Sequence, residues 1–266
     1  MEARQIREGI FWMGAVDWDR RLFDSLIPLP DGTSYNAYLV KGSSKTALLD
    51  TVDPSMYYQL EAQLASVEHL DYVVAHHGEQ DHSGSIPAVL ARYPEASVVC
   101  SPKCKPMLID LLHVAEERIV TVDDGDAIDL GGRTLKFVHA PWVHWPETMM
   151  TYMVEEKILF SCDAFGSYGC LDGFLFDDEA SDRDYFEREA LRYFTNIVAA
   201  FSRNVLMAID KVSPYPIEIL APSHGLVWRK EPERIISLYK KWAAMATEPA
   251  EPGVTVLYGS MYRNTE

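Results

Sequence analysis

The sequence predicts an α/β protein of four layers, with two sheets packed face to face and helices outside both. Three observations carry this. Short apolar runs of strand length alternate with helical stretches, the same strand-then-helix order returns in the second half, and nearly every junction is marked by Gly, Pro, Asp or Ser. With 266 residues, 48% of them hydrophobic, the chain can bury a full core.

The early strand-like runs are 10–13, 35–40 and 47–50, separated by turn-rich pieces such as "PLPDGTS" and "KGSSK". A helix that opens on proline is expected over 54–67, then a buried strand at 72–75. Helices are expected at 86–93 and 105–112, on either side of a strand at 97–100. Strands follow at 119–122, 135–138, 149–154 and 158–160, with "EEK" turning the last pair into a hairpin. Unbroken helical periodicity predicts one long helix over 184–212, then a strand at 217–221 and a helix at 231–244. The division expected is 1–247 as one domain, with 248–266 as a Pro/Glu linker running into a strand-like "VTVLYG".

A formal net charge of -16 sets the chain against phosphate backbones and anionic lipid surfaces. The four cysteines, Cys100, Cys104, Cys162 and Cys170, form no CxxC pair and no disulfide framework. The amino terminus lacks the apolar core of a signal peptide, and no run reaches the length of a membrane span. A soluble, cytoplasmic protein is expected.

The chemistry is concentrated in "VVAHHGEQDHSGS", where an apolar strand runs into His77, Glu79, Asp81 and His82. Strand ends in α/β folds are rigid yet open, which is why ligands collect there. His77 and Glu79, two apart, point the same way in extended backbone, while Asp81 and His82, past a turn, can aim at a second point. Three more candidates stand at other strand ends: His144 in "APWVHWPETMM", Asp163 in "ILFSCDAFG" and His224 in "EILAPSHGLVW". Four histidines and three carboxylates suit two adjacent metal ions. The mixed nitrogen and oxygen set favours iron, with zinc or manganese next, and Asp163 can lend one oxygen to each ion. Taken singly each residue has an ordinary use, Asp81 as a helix cap and Asp163 in a turn, but clustered charges without compensation are costly.

The pattern HxExDH with the later His, Asp and His resembles the metallo-β-lactamase superfamily, and within it the flavodiiron proteins. The hydrolases there carry HxHxDH, and Glu79 stands at the second histidine, as in the flavodiiron branch. "GAVDWD", "SYNAYLV", "DHSGSIP" and "HWPETM" share the resemblance. It implies an αββα sandwich and two iron ions, oxo-, hydroxo- or peroxo-bridged, that bind O2 or NO. It also implies roles: His77, Glu79 and His144 on one iron, Asp81 and His224 on the other, Asp163 between them, and His82 a ligand that swings away in some relatives. Where the family often carries a histidine after "VDW", this chain has Asp24.

Flavodiiron proteins continue into a flavodoxin-like domain. "VTVLYGSMYRNTE" resembles its first strand and phosphate loop, with Arg263 where glycine is expected. Two readings follow: a diiron domain excised from a full reductase, or a stand-alone oxygen-binding diiron protein with a vestigial tail and no FMN of its own. The substituted loop favours the second. The partners expected are O2 or NO, an external electron donor or a signalling partner, and a second copy in a homodimer, with no nucleic acid and no membrane. The competing function is a dinuclear metal hydrolase. Asp50 is expected to support the site from below, His69, His113 and His139 to be surface or packing residues, His76 to point away from His77, and Trp142, Trp145, Tyr168 and Trp228 to be core.

Overall fold

The computed structural model describes residues 2–249, 252–254, 256–260 and 262. Its larger sheet has seven strands in the order Arg4–Arg7, Ile10–Trp12, Tyr38–Lys41, Thr46–Leu49, Tyr72–Val74, Ser97–Cys100 and Ile119–Thr121. The last four run parallel, because the helices Tyr57–Leu64, Ile86–Arg92 and Cys104–Leu112 carry the chain back between them. The second sheet has five strands, Ala127–Asp129, Thr134–His139, Met149–Met153, Ile158–Phe160 and Ile219–Ala221.

Alternation along the central strands builds two cores. Leu48, Val73 and Val98 face the first helical layer and pack with Leu60, Val89 and Leu108. Leu49, Val74 and Val99 face the other way and meet Phe137, Met149 and Met153 of the second sheet. Residue by residue the strands are buried on both faces, as a parallel sheet requires. The outer face of the second sheet is covered by Arg183–Tyr193, Ser202–Val212 and Pro232–Ala244, through Phe186, Val205, Ile209, Ile235 and Tyr239. The four expected layers are all present.

One expectation needs correction. The single helix over 184–212 is broken: a wide π-turn at Phe194–Val198 and a 3₁₀ turn at Ala199–Phe201 separate Arg183–Tyr193 from Ser202–Val212. Local side chains account for the break. The Thr195 hydroxyl and the Asn196 amide both donate to the Arg192 carbonyl, at 3.0 and 2.7 Å, competing with the backbone ladder there. The strand-like "VTVLYG" has no β partner among the described residues, and Val254, Val256 and Leu257 are exposed. Arg263 lies outside the described residues. No helix of the described residues is long and apolar enough to cross a membrane.

Candidate metal centre

Every candidate residue stands where a strand or loop is pinned from outside. Asp50 ends its strand in the left-handed region (φ 56°), and its Oδ1 accepts the His76 backbone N–H at 2.9 Å. Its Oδ2 lies 2.6 Å from His76 Nδ1, and His76 Nε2 lies 2.8 Å from Thr151 Oγ1 on the second sheet. His76 thus turns down into the seam between sheets, and His77 turns up. The helical turn Gln80–Ser83 follows. The Ser83 hydroxyl donates to the Gly78 and Glu79 carbonyls at 2.9 and 2.8 Å, Glu147 Oε1 accepts from Gly78 N at 2.9 Å, and Thr51 donates through N–H and hydroxyl to the His82 carbonyl.

From the second sheet, Ile158–Phe160 leads through Ser161 and a left-handed Cys162 (φ 54°) to Asp163. Ile219–Ala221 leads to His224. Gly225 behind it has φ +76°, and a Cβ there would meet Ser167 Oγ at 1.9 Å, so only glycine turns this corner. The Asn36 amide donates to the Pro222 and Gly225 carbonyls, both at 2.9 Å, and so fixes the loop from both sides of His224.

The seven residues converge. Ligand atoms of His77, Glu79, His144 and Asp163 form one group and those of Asp81, His82 and His224 a second, each within a 4.8 Å spread. Asp163 serves both. Its Oδ2 lies 3.1 Å from His77 Nε2 and 3.1 Å from His144 Nε2, and its Oδ1 lies 3.1 Å from His82 Nε2 and 3.5 Å from His224 Nε2. Glu79 Oε2 closes the first group at 3.0 Å from His144 and 3.3 Å from His77. Asp81 closes the second, 3.4 Å from His82 and 3.3 Å from His224.

These donors suit cations better than each other. Both oxygens of Asp163 and of Asp81 are buried without a hydrogen-bond partner despite the short distances, as lone pairs aimed at a shared centre would be. Titration agrees. Burial alone would lower His82 and His144, but the Asp81 and Asp163 charges raise the first to about 9, and the facing Asp163 and Glu79 carboxylates raise the second to about 9. Burial pushes the carboxyl of Glu79 up, yet His144 and His77 bring it down to about 2. Without metal, protons on imidazole balance this many carboxylates; divalent cations would do so with all ligands in their binding forms.

Aromatic rings wall one side of the centre. Phe23, Tyr35 and Tyr193 lie 5.6, 5.9 and 5.5 Å from the His224 ring. Tyr168 packs on Tyr193 at 5.0 Å, and the hydroxyls of both tyrosines are buried without a partner. Glu79 and Asp81 open onto a cavity of 270 Å³ shared with Arg20, Phe23, Asp24 and Tyr35. Asp24 sits in the hairpin between Leu22–Phe23 and Ile27–Pro28, its carboxyl raised by burial and by the nearby Glu79 and Asp81 charges.

Other residues fall in varied places. Trp228 and Tyr168 are core, whereas Trp142 is 44% exposed and stacks on Phe201 at 5.5 Å, because the loop before His144 carries it to the surface. Trp145 lies edge-on to His77 at 6.1 Å. His69 pairs with Asp71, and His139 Nε2 lies 3.0 Å from the Val122 carbonyl, away from the centre. Asn36, Glu147, Cys162 and Tyr193 form the support that sequence reasoning did not assign. Asn36 and Glu147 lie inside the motifs "SYNAYLV" and "HWPETM", which was their available signal.

A four-layer αββα sandwich with a split donor set at its strand ends defines a metal protein of the metallo-β-lactamase-like class. The model of the ODP family beta lactamase matches residues 33–225, and the chain belongs to that family. Its relatives are flavodiiron proteins. It is 38% identical over 267 residues to an anaerobic nitric oxide reductase flavorubredoxin of Vibrio vulnificus, covering 98% of this chain and 53% of that protein. The flavodiiron protein of Giardia intestinalis superposes with TM-score 0.86 at 30% identity, over 91% of this chain and 59% of the other. Rubredoxin:oxygen oxidoreductase of Desulfovibrio gigas gives 0.87 at 30%, over 92% and 62%. The chain spans about half the length of the curated relatives it matches.

Proposed function

We propose that this chain holds two iron ions and reduces O2 or NO with electrons from a separate donor. His77, Glu79 and His144 would hold one ion, and Asp81, His82 and His224 the other, with Asp163 shared. The observation that carries this is Asp163, which turns one oxygen to each donor group. Names among the relatives, a nitric oxide reductase and an oxygen oxidoreductase, support the substrate class. Bound there, the iron pair would supply electrons to the diatomic substrate.

The chain's own residues do the rest. Phe23, Tyr35 and Tyr193 pack on His224 and keep water from that side. The Tyr193 hydroxyl, buried and unpartnered, holds a proton at Oη beside the centre. Glu147 and Asn36 hold the ligand loops by their backbones, so the donors are set before any ion arrives.

Residues 1–247 are read as the metal domain and 248–266 as a linker with a segment like the first strand and loop of a flavodoxin; the last helix ending at Ala244 and the exposed residues after it support the boundary. Four free, buried cysteines fit a reducing cytoplasm, and a homodimer is expected. The test is elemental analysis of anaerobically reduced protein, then O2 or NO consumption with an added flavin reductase. Two irons per chain with steady consumption is the expected result. Iron with a single stoichiometric uptake would make the chain a sensor or carrier, and zinc with ester hydrolysis would make it a hydrolase.

A further inference from the structure

The His77 imidazole is engaged on both sides. Its Nε2 faces Asp163 and Glu79, while its Nδ1 lies 3.4 Å from the thiol sulfur of Cys162. A histidine that gives Nε2 to a cation carries its proton on Nδ1, and the acceptor of that proton sets both ring orientation and donor strength.

The two donor groups differ here. The outer nitrogen of His224 faces the Ser34 carbonyl at 2.7 Å, a strong acceptor, whereas His77 has a thiol, a weak one. Cys162 is buried, so no water competes with its sulfur for the His77 ring. Its backbone takes part as well: the Cys162 carbonyl accepts from Ser223 N at 2.8 Å, one residue before His224. The residue before the shared carboxylate thus touches strand ends from both sheets.

We infer that Cys162 is the positioning residue for His77. Its sulfur accepts the Nδ1 proton, fixes the tautomer that frees Nε2, and leaves His77 a poorer electron donor than His224. The potential of the pair then depends on what stands against Nδ1 of His77. This rests on the iron reading proposed above.

The test uses the full chain as wild type, Cys162→Ser and Cys162→Ala, with iron per chain and a redox titration followed by the EPR of the mixed-valent pair. Serine puts the same backbone demand on position 162 and offers a stronger acceptor, so the potential of the pair falls. Alanine offers none, so it rises, with iron content the same in all three. Potentials that do not move, or that move the same way in both variants, overturn the inference, and a purely structural role would lower thermal stability without that ordering. If the wild type takes up no iron, it is the proposed function that fails. The 15N spectrum of the zinc-loaded protein then decides the inference: His77 protonated on Nδ1 in wild type and Cys162→Ser but mixed in Cys162→Ala supports it, and the same tautomer in all three overturns it.

Discussion

Asp50 holds His76 at two points, accepting its backbone N–H at 2.9 Å and facing its ring at 2.6 Å, and neither residue is more than 2% exposed. Burial would raise the Asp50 carboxyl, but the contacts with His76, with His82 behind them, together bring it below its ordinary value. Breaking a buried pair on one side strands the other group. Asp50→Ala should cost roughly 3–5 kcal/mol by that reasoning, read by urea unfolding of metal-free protein. Asp50→Asn, which tolerates the left-handed backbone, should cost less. A loss within error in both would show that the pair does not brace the site.

Asp163 is the only carboxylate facing both donor groups among the described residues. Asp163→Ala should therefore drop the protein from about two bound metals to fewer than one, whereas His144→Ala leaves the second group whole and retains about one. Mass spectrometry of the native, metal-reconstituted proteins counts the ions. Equal losses in the two variants would mean that the groups do not act separately.

Tyr193 buries a hydroxyl with no partner, which costs stability on the order of 1 kcal/mol or more. Tyr193→Phe should unfold at higher denaturant than wild type when metal-free, yet turn over O2 or NO more slowly when loaded. Greater stability without slower turnover would reduce the phenol to packing.

The pH behaviour of metal-free and loaded protein should cross. Glu79 is held at about 2 against an ordinary 4.5, so its contribution is whole above 4.5 and is lost as pH falls through about 2. His82 and His144 are raised to about 9 from 6.5, so theirs is whole below 6.5 and is lost as pH rises through about 9. Metal-free protein should melt highest between 4.5 and 6.5 and progressively lower toward 9. Protons compete with metal for the same nitrogens, so metal affinity should climb over the interval in which the empty site weakens. Melting curves with and without zinc at both ends of the interval check this; parallel curves would contradict it.

Much of this was legible in the sequence because strand ends announce themselves. Apolar runs stopping at His77, Asp163 and His224 located three corners of one centre, and the two-residue spacing of His77 and Glu79 gave their common direction. The break at Phe194 was not legible, because buried positions Phe186, Ala190, Tyr193, Ile197, Val198, Ser202 and Val205 keep helical spacing straight through it and no Gly or Pro marks it. The support under the ligands was hidden for another reason. Cys162 and His77 are 85 residues apart and meet only once both sheets close, so neither period nor spacing joins them. Trp142 was misplaced because its aromatic type suggests core, while its loop carries it outward.

The donors are dealt along the chain from residue 77 to residue 224, with Gly225 completing the last corner. A growing polypeptide leaving the ribosome therefore has no finished pocket until Gly225 has been made. A product that stops short of His224 keeps the His77, Glu79, His144 and Asp163 group whole and leaves Asp81 and His82 without their third member. On the reading proposed above, the ions would enter a site that synthesis has already finished.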